Sequence, residues 1–132
     1  MKRLMVSAVV LFAGFAIGTA TGHAGQLKRL DQTTQTCRIL GADSMWWGKG
    51  AKIFQNNCKT CHVRDNDKGA PFLHSESKSP EAWNRVFYKK YPACAKDGSW
   101  GNLALNDQLL LNDYLYRNGA NTYDPNNAAS CG

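Results

Sequence analysis

Gly50-Ala51-Lys52-Ile53-Phe54-Gln55-Asn56-Asn57-Cys58-Lys59-Thr60-Cys61-His62 is the stretch on which the reading of this chain turns. Its last five residues form a C-x-x-C-H, the pattern to which haem is covalently attached through two thioether bonds, with the histidine as an axial iron ligand. The spacing has a mechanical basis. Two thiols must reach the two vinyl groups on one edge of the macrocycle while the next residue turns its imidazole under the iron. A thioredoxin-like redox pair would want a βαβ setting, whereas here a helix-like pattern precedes and a loop follows. A zinc site would want a second close Cys/His pair, but Cys37, Cys94 and Cys131 are scattered singly. The motif therefore points to one covalent haem c on Cys58 and Cys61, with His62 as the proximal iron ligand.

Outward from the motif, the patterning is helical. Asp43 or Ser44 can cap a helix from Met45 to about Asn56, with Trp46, Trp47, Gly50, Ile53 and Phe54 on one apolar face. Residues 58–78 are rich in Asp, Asn, Gly, Pro and Ser and read as a long loop that needs something to wrap around. Ser79-Pro80-Glu81 starts a second helix, because the serine can cap it and the proline loses nothing at the first position. Its face is Trp83, Val86 and Phe87, and Tyr91-Pro92 stops it. Asn106 is the expected cap of a third helix, with Leu105 and Leu110 as a hydrophobic staple, Leu111, Tyr114 and Leu115 on its face and Asn118-Gly119 at its end. There is no repeat and no strand-like alternation. The expected fold is all-α, with about three main helices wrapped around one covalent haem.

The first residues read as an export signal. Lys2 and Arg3 precede the apolar run Leu4 to Gly18, too short for a comfortable span, and Gly22 and Ala24 suit cleavage after Ala24. The expected division is a cleaved signal peptide at 1–24, an irregular N-terminal extension at 25–44, the haem domain at 45–119 and a tail at 120–132. About 108 residues remain after cleavage, one domain's worth, with no membrane span and a periplasmic or otherwise extracytoplasmic location. Hydrophobic residues at 43% and charged residues at 20% exclude a disordered chain and a polytopic membrane protein. The formal charge of +6 falls to about +4 when Lys2 and Arg3 leave, too mild for a nucleic-acid footprint.

The chain resembles a class I cytochrome c. Gly50 to Phe54 followed by Cys58 to His62 is similar to that family's G-x-x-[ILV]-[FY]-x-x-x-C-x-x-C-H run. Gly69-Ala70-Pro71-Phe72-Leu73 resembles its G-x-x-P-x-L-like loop, and Tyr114-Leu115 its C-terminal helix. The resemblance implies that Gly50 lets the first and last helices cross closely and that Phe54 packs on Tyr114 there. It also implies that the Pro71 carbonyl accepts the second ring proton of His62.

The family usually supplies a downstream methionine as second axial ligand, and this chain has only Met1, Met5 and Met45. His74 is one substitute, yet it lies about 10 Å of extended chain beyond Pro71. If Pro71 backs His62, His74 cannot also travel round the haem edge, so the expectation is that His74 is not the distal ligand. Residues 92–103, which replace the methionine loop, offer Cys94, Lys96 and Asn102 as candidates and Trp100 as a bulky plug. Three cysteines remain after haem attachment. Either Cys37 pairs with Cys131, leaving Cys94 as a thiol, or Cys94 is itself bridged to one of them.

One haem, no dehydrogenase motif and no second domain imply an electron carrier and not an enzyme. Its partner would be a redox protein, and lysines 49, 52, 59, 68, 78, 89, 90 and 96 form a candidate docking face for an acidic surface. Two alternatives stay open: a haem sensor with an open distal site, and a thiolate-ligated haem subunit in sulfur chemistry.

Overall fold

Gly50 fixes how the ends of the domain meet. A Cβ there would overlap the Leu110 carbonyl oxygen and fall 2.5 Å from the Tyr114 Cβ, so only glycine lets the two helices touch backbone to backbone. A computed structural model of the chain describes residues 27–120. The helices at this crossing are α1 (Lys49–Ile53) and α3 (Leu105–Arg117), and α2 (Pro80–Lys89) packs against α3. Among the described residues the fold is that of a small, mainly α-helical domain. Phe54 lies with its ring centroid 5.9 Å from that of Tyr114 at the crossing.

The α2 start follows its sequence. The Ser79 Oγ accepts from the Ala82 N–H at 3.2 Å, Pro80 opens the helix, and Lys90 ends it in the left-handed region. Trp83, Val86 and Phe87 are buried, and with Phe54, Leu103, Leu111 and Leu115 they make the core. Cys58, Leu73, Trp100 and Tyr114 pack against its edge.

Several local expectations are corrected. The first helix begins at Lys49, not Met45, because the chain doubles back at Gly48, where a Cβ would overlap the Ala42 carbonyl oxygen. Asp43 and Ser44 belong to a separate short 3-10 turn, Ala42–Ser44, and Trp46 and Trp47 are 74% and 53% exposed, so neither is on an apolar helix face. Asn106 does not cap α3. That helix starts at Leu105 after Ala104, and Leu105 is too exposed to act as a staple, Leu103 being the residue that turns inward.

The stretch expected as an irregular extension contains a two-stranded antiparallel hairpin, β1 (Lys28–Asp31) and β2 (Thr36–Ile39). Its inward residues are Arg29, Asp31 and Arg38, all charged, so hydrophobic alternation carries no trace of it. They meet Asp113 of α3. The Arg29 Nε lies 2.6 Å from the Asp113 Oδ1, Arg38 donates to both Asp113 oxygens, and Arg29 also bonds Asp31 at 2.9 Å and Asn84 at 3.0 Å. Burial alone would raise the Asp31 carboxyl, but hydrogen bonds from Arg29 and Thr34 hold it below its ordinary value. The expected signal peptide, residues 1–24, lies outside the described residues, as does the tail beyond Ala120 with Cys131.

Candidate functional site

The helix carrying Phe54 does not end as an α-helix. From Phe54 to Cys58 it opens into a π-helical turn, with the Lys59 N–H bonding the Phe54 carbonyl at 3.0 Å. Cys58 therefore leaves the last turn against the core edge, and the Cys61 and His62 N–H groups bond back to its carbonyl at 3.2 and 2.9 Å. The five motif residues thus form one tight turn.

The loop after the motif returns to it. Asn66 organises the return, because its amide nitrogen donates to the Val63 and Ala70 carbonyls at 2.9 and 2.7 Å while its oxygen accepts from the Lys68 and Ala70 N–H groups. Gly69 sits at φ 65 within this turn. The Pro71 carbonyl oxygen then lies 2.6 Å from the His62 Nδ1. A carbonyl can only accept, so Nδ1 carries a proton, and in the neutral tautomer that this selects, Nε2 is the nitrogen with the lone pair. Lys59 pins the other side, donating from Nζ to the His62 carbonyl at 3.2 Å and the Leu73 carbonyl at 2.9 Å. Neither Asn66 nor Lys59 was singled out for this role from the sequence. The Asn-Asp-Lys-Gly run at 66–69 is the turn signal that marks the first.

His74 is exposed, and its ring meets Phe72 edge-on with centroids 4.5 Å apart. Phe72 is also flanked by the Lys59 Nζ at 4.3 Å and the Arg64 guanidinium at 5.0 Å. Of the other expected lysines, Lys68 reaches to 3.5 Å from the Cys61 Sγ and Lys78 lies over Trp83, while Lys49, Lys52, Lys89, Lys90 and Lys96 are exposed.

In the segment that replaces a methionine loop, Cys94 lies in a 3-10 turn, Ala93–Ala95, and is half-buried. Burial pushes the Cys58 thiol up to about 12, and the neighbouring Cys94 and Cys61 sulfurs add to the shift. Lys96 and Asn102 point to solvent, and Trp100 is half-buried against Phe87 at 5.1 Å. Cys37 and Cys94 are not bridged to each other. A pairing of either with Cys131 lies outside the described residues.

The residues fit a covalent haem. Two unbridged thiols stand one helical turn apart, an imidazole offers Nε2, and Cys58, Leu73 and Trp100 all pack on the apolar cluster that includes Phe87 and Leu103. Among the described residues, no three His, Cys, Asp or Glu side chains gather as a protein-only metal site would require.

The family model described as Cytochrome c matches residues 48–128, more than half of the chain. No curated protein and no solved structure gives a significant match.

Proposed function

The chain belongs to the cytochrome c family, and from that premise we propose that it is an exported monohaem electron carrier with Cys58 and Cys61 holding the haem and His62 as proximal iron ligand. Membership brings one covalently attached haem c, which when bound supplies a one-electron iron couple. Domains of this family typically work outside the cytoplasm, and no described helix is long and apolar enough to cross a membrane.

The observation that carries the assignment of His62 is its hydrogen bond to Pro71. That bond places the proton of the neutral ring on Nδ1, so that Nε2 is the nitrogen free for iron, and it fixes the ring plane, which is what an iron ligand needs. Lys59 and Asn66 keep the loop in place behind it. Lys59 and Arg64 flank the partly exposed Phe72 and Lys68 reaches the Cys61 sulfur, and this positive charge around the motif supports docking of an acidic redox partner.

A second reading is favoured by Cys94. With no methionine after Met45, the distal segment offers the half-buried Cys94 thiol, whose charge bears on Cys58, and the Trp100 ring packed on Phe87. A thiolate-ligated iron, or one open to a small ligand under Trp100, would follow. Visible spectra of oxidised and reduced protein, with and without carbon monoxide, separate the readings. A low-spin spectrum unmoved by carbon monoxide supports the carrier. Carbon monoxide binding to a high-spin form supports the open site, and a low-spin thiolate signature supports Cys94.

A further inference from the structure

One positive charge stands inside the loop that positions His62. Lys59 occupies the first variable position of the C-x-x-C-H, and its backbone N–H closes the π-helical turn on the Phe54 carbonyl. From there its side chain ties the two ends of the loop together. The Nζ donates to the His62 carbonyl at 3.2 Å and to the Leu73 carbonyl at 2.9 Å, beside the Leu73 N–H, which bonds the same His62 oxygen at 3.3 Å. It also lies 4.3 Å from the centroid of the Phe72 ring, whose π face attracts a cation. All three contacts are electron-rich and none is charged.

An ammonium group drawn partly out of water is ordinarily paired with a carboxylate. Among the described residues the ion pairs all belong to Arg29 and Arg38, and no carboxylate pairs with Lys59. Asp65 and Asp67, in the same loop, are exposed. The carbonyls and the ring therefore hold the charge in place without cancelling it. Lys59 is half-buried, whereas Lys49, Lys52, Lys89, Lys90 and Lys96 are exposed, as is Arg64, the second cation on Phe72 at 5.0 Å. Water and salt screen those exposed charges more strongly than they screen Lys59.

We infer that Lys59 is a positioning residue that also sets the iron couple: its charge, held on the His62 and Leu73 carbonyls, favours the ferrous state and raises the reduction potential. The inference rests on the proposed haem attachment with His62 as ligand. Its sign follows from charge alone. Ferric iron carries one positive charge more than ferrous iron, so a fixed cation nearby disfavours the ferric form.

The test compares the reduction potentials of the haem-attached parent, Lys59→Met, Lys59→Arg and Lys52→Met. Methionine removes the charge, arginine keeps it, and the exposed Lys52 controls for a change in net charge alone. Lys59→Met should raise the ferric-to-ferrous ratio several-fold at a fixed ambient potential, with the visible spectrum unchanged. Lys59→Arg should recover most of that shift, and Lys52→Met should produce much less of it. A Lys59→Met potential equal to the parent's, a shift matched by Lys52→Met, or one that Lys59→Arg does not recover would each overturn the inference. Acetylation of the parent with N-hydroxysuccinimidyl acetate, read by peptide mass mapping, covers the case of a variant that takes up no haem. Lys59 should react several-fold more slowly than Lys49 or Lys52, and equal rates would overturn the held charge. A parent isolated without haem would count against the proposed function, while the acetylation rates would still read the Lys59 contacts.

Discussion

His62 and Pro71 are joined across a nine-residue separation by a 2.6 Å hydrogen bond from the ring Nδ1 to the proline carbonyl oxygen. Proline has no N–H of its own to offer, so its carbonyl is the only hydrogen-bonding group it can bring to the ring. Asn66 closes the intervening turn with four hydrogen bonds from one side chain.

Asn66→Ala removes those bonds together. It should lower stability by about 1 to 3 kcal/mol, since the Ala70 groups it serves are half-buried, and it should loosen the ring that Pro71 holds. Urea unfolding reads the first effect. A shifted reduction potential, or a pH-dependent spectrum that the parent lacks, reads the second.

Asp113 stands between two arginines, one with a fully buried side chain. Asp113→Ala would leave Arg29 and Arg38 with only the Asp31 carboxylate to balance them in the interior, and the expected cost is about 3 to 5 kcal/mol. Replacing Arg29 by Met in the same chain should recover part of that loss, because the surplus positive charge goes with it and Asp31 is left facing Arg38 alone. Denaturant midpoints of the single and double variants check this, and additive losses would contradict it.

The same cluster sets an acid limit. The Asp31 carboxyl is held below its ordinary value of 3.8, so the folded state binds its proton less readily than the unfolded chain does. Its contribution to stability is full above that ordinary value and is lost as pH falls through the lower folded value. Asp31→Asn should flatten the acid limb of a stability-against-pH curve between about pH 5 and pH 2 without changing its neutral plateau's slope.

How much of this was legible beforehand depends on the range of the forces involved. The attachment motif and the Ser79-Pro80 helix start are local chemistry, readable within a few residues. The hairpin was hidden because the residues that bury it are charged and become compatible with burial only through Asp113, some 75 to 84 positions away. The true start of α1 depends on Gly48 lying against Ala42, a contact that no periodicity encodes. Leu105 looked like a staple because only the tertiary packing shows that Leu103 is the inward leucine.

Cys94→Ser and His74→Ala form a pair of tests at the distal side. If the Cys94 thiolate ligates the iron, its replacement by serine should change the spin state and raise the potential, because a negative ligand favours the ferric form. His74 is exposed and meets Phe72 edge-on, on the chain just beyond the carbonyl that backs His62. His74→Ala should therefore leave the spectrum unchanged, and a variant that turned high-spin would contradict the proximal placement of Pro71.

The most direct test of the account is the intact mass of the denatured, purified chain, compared with Cys58→Ala and Cys61→Ala variants. The expected result is the polypeptide plus one haem that survives denaturation, with Cys58 and Cys61 both inaccessible to alkylation and the adduct lost or crippled in either variant. A polypeptide mass without haem, in a chain whose Cys58 and Cys61 both alkylate once it is unfolded, would contradict it.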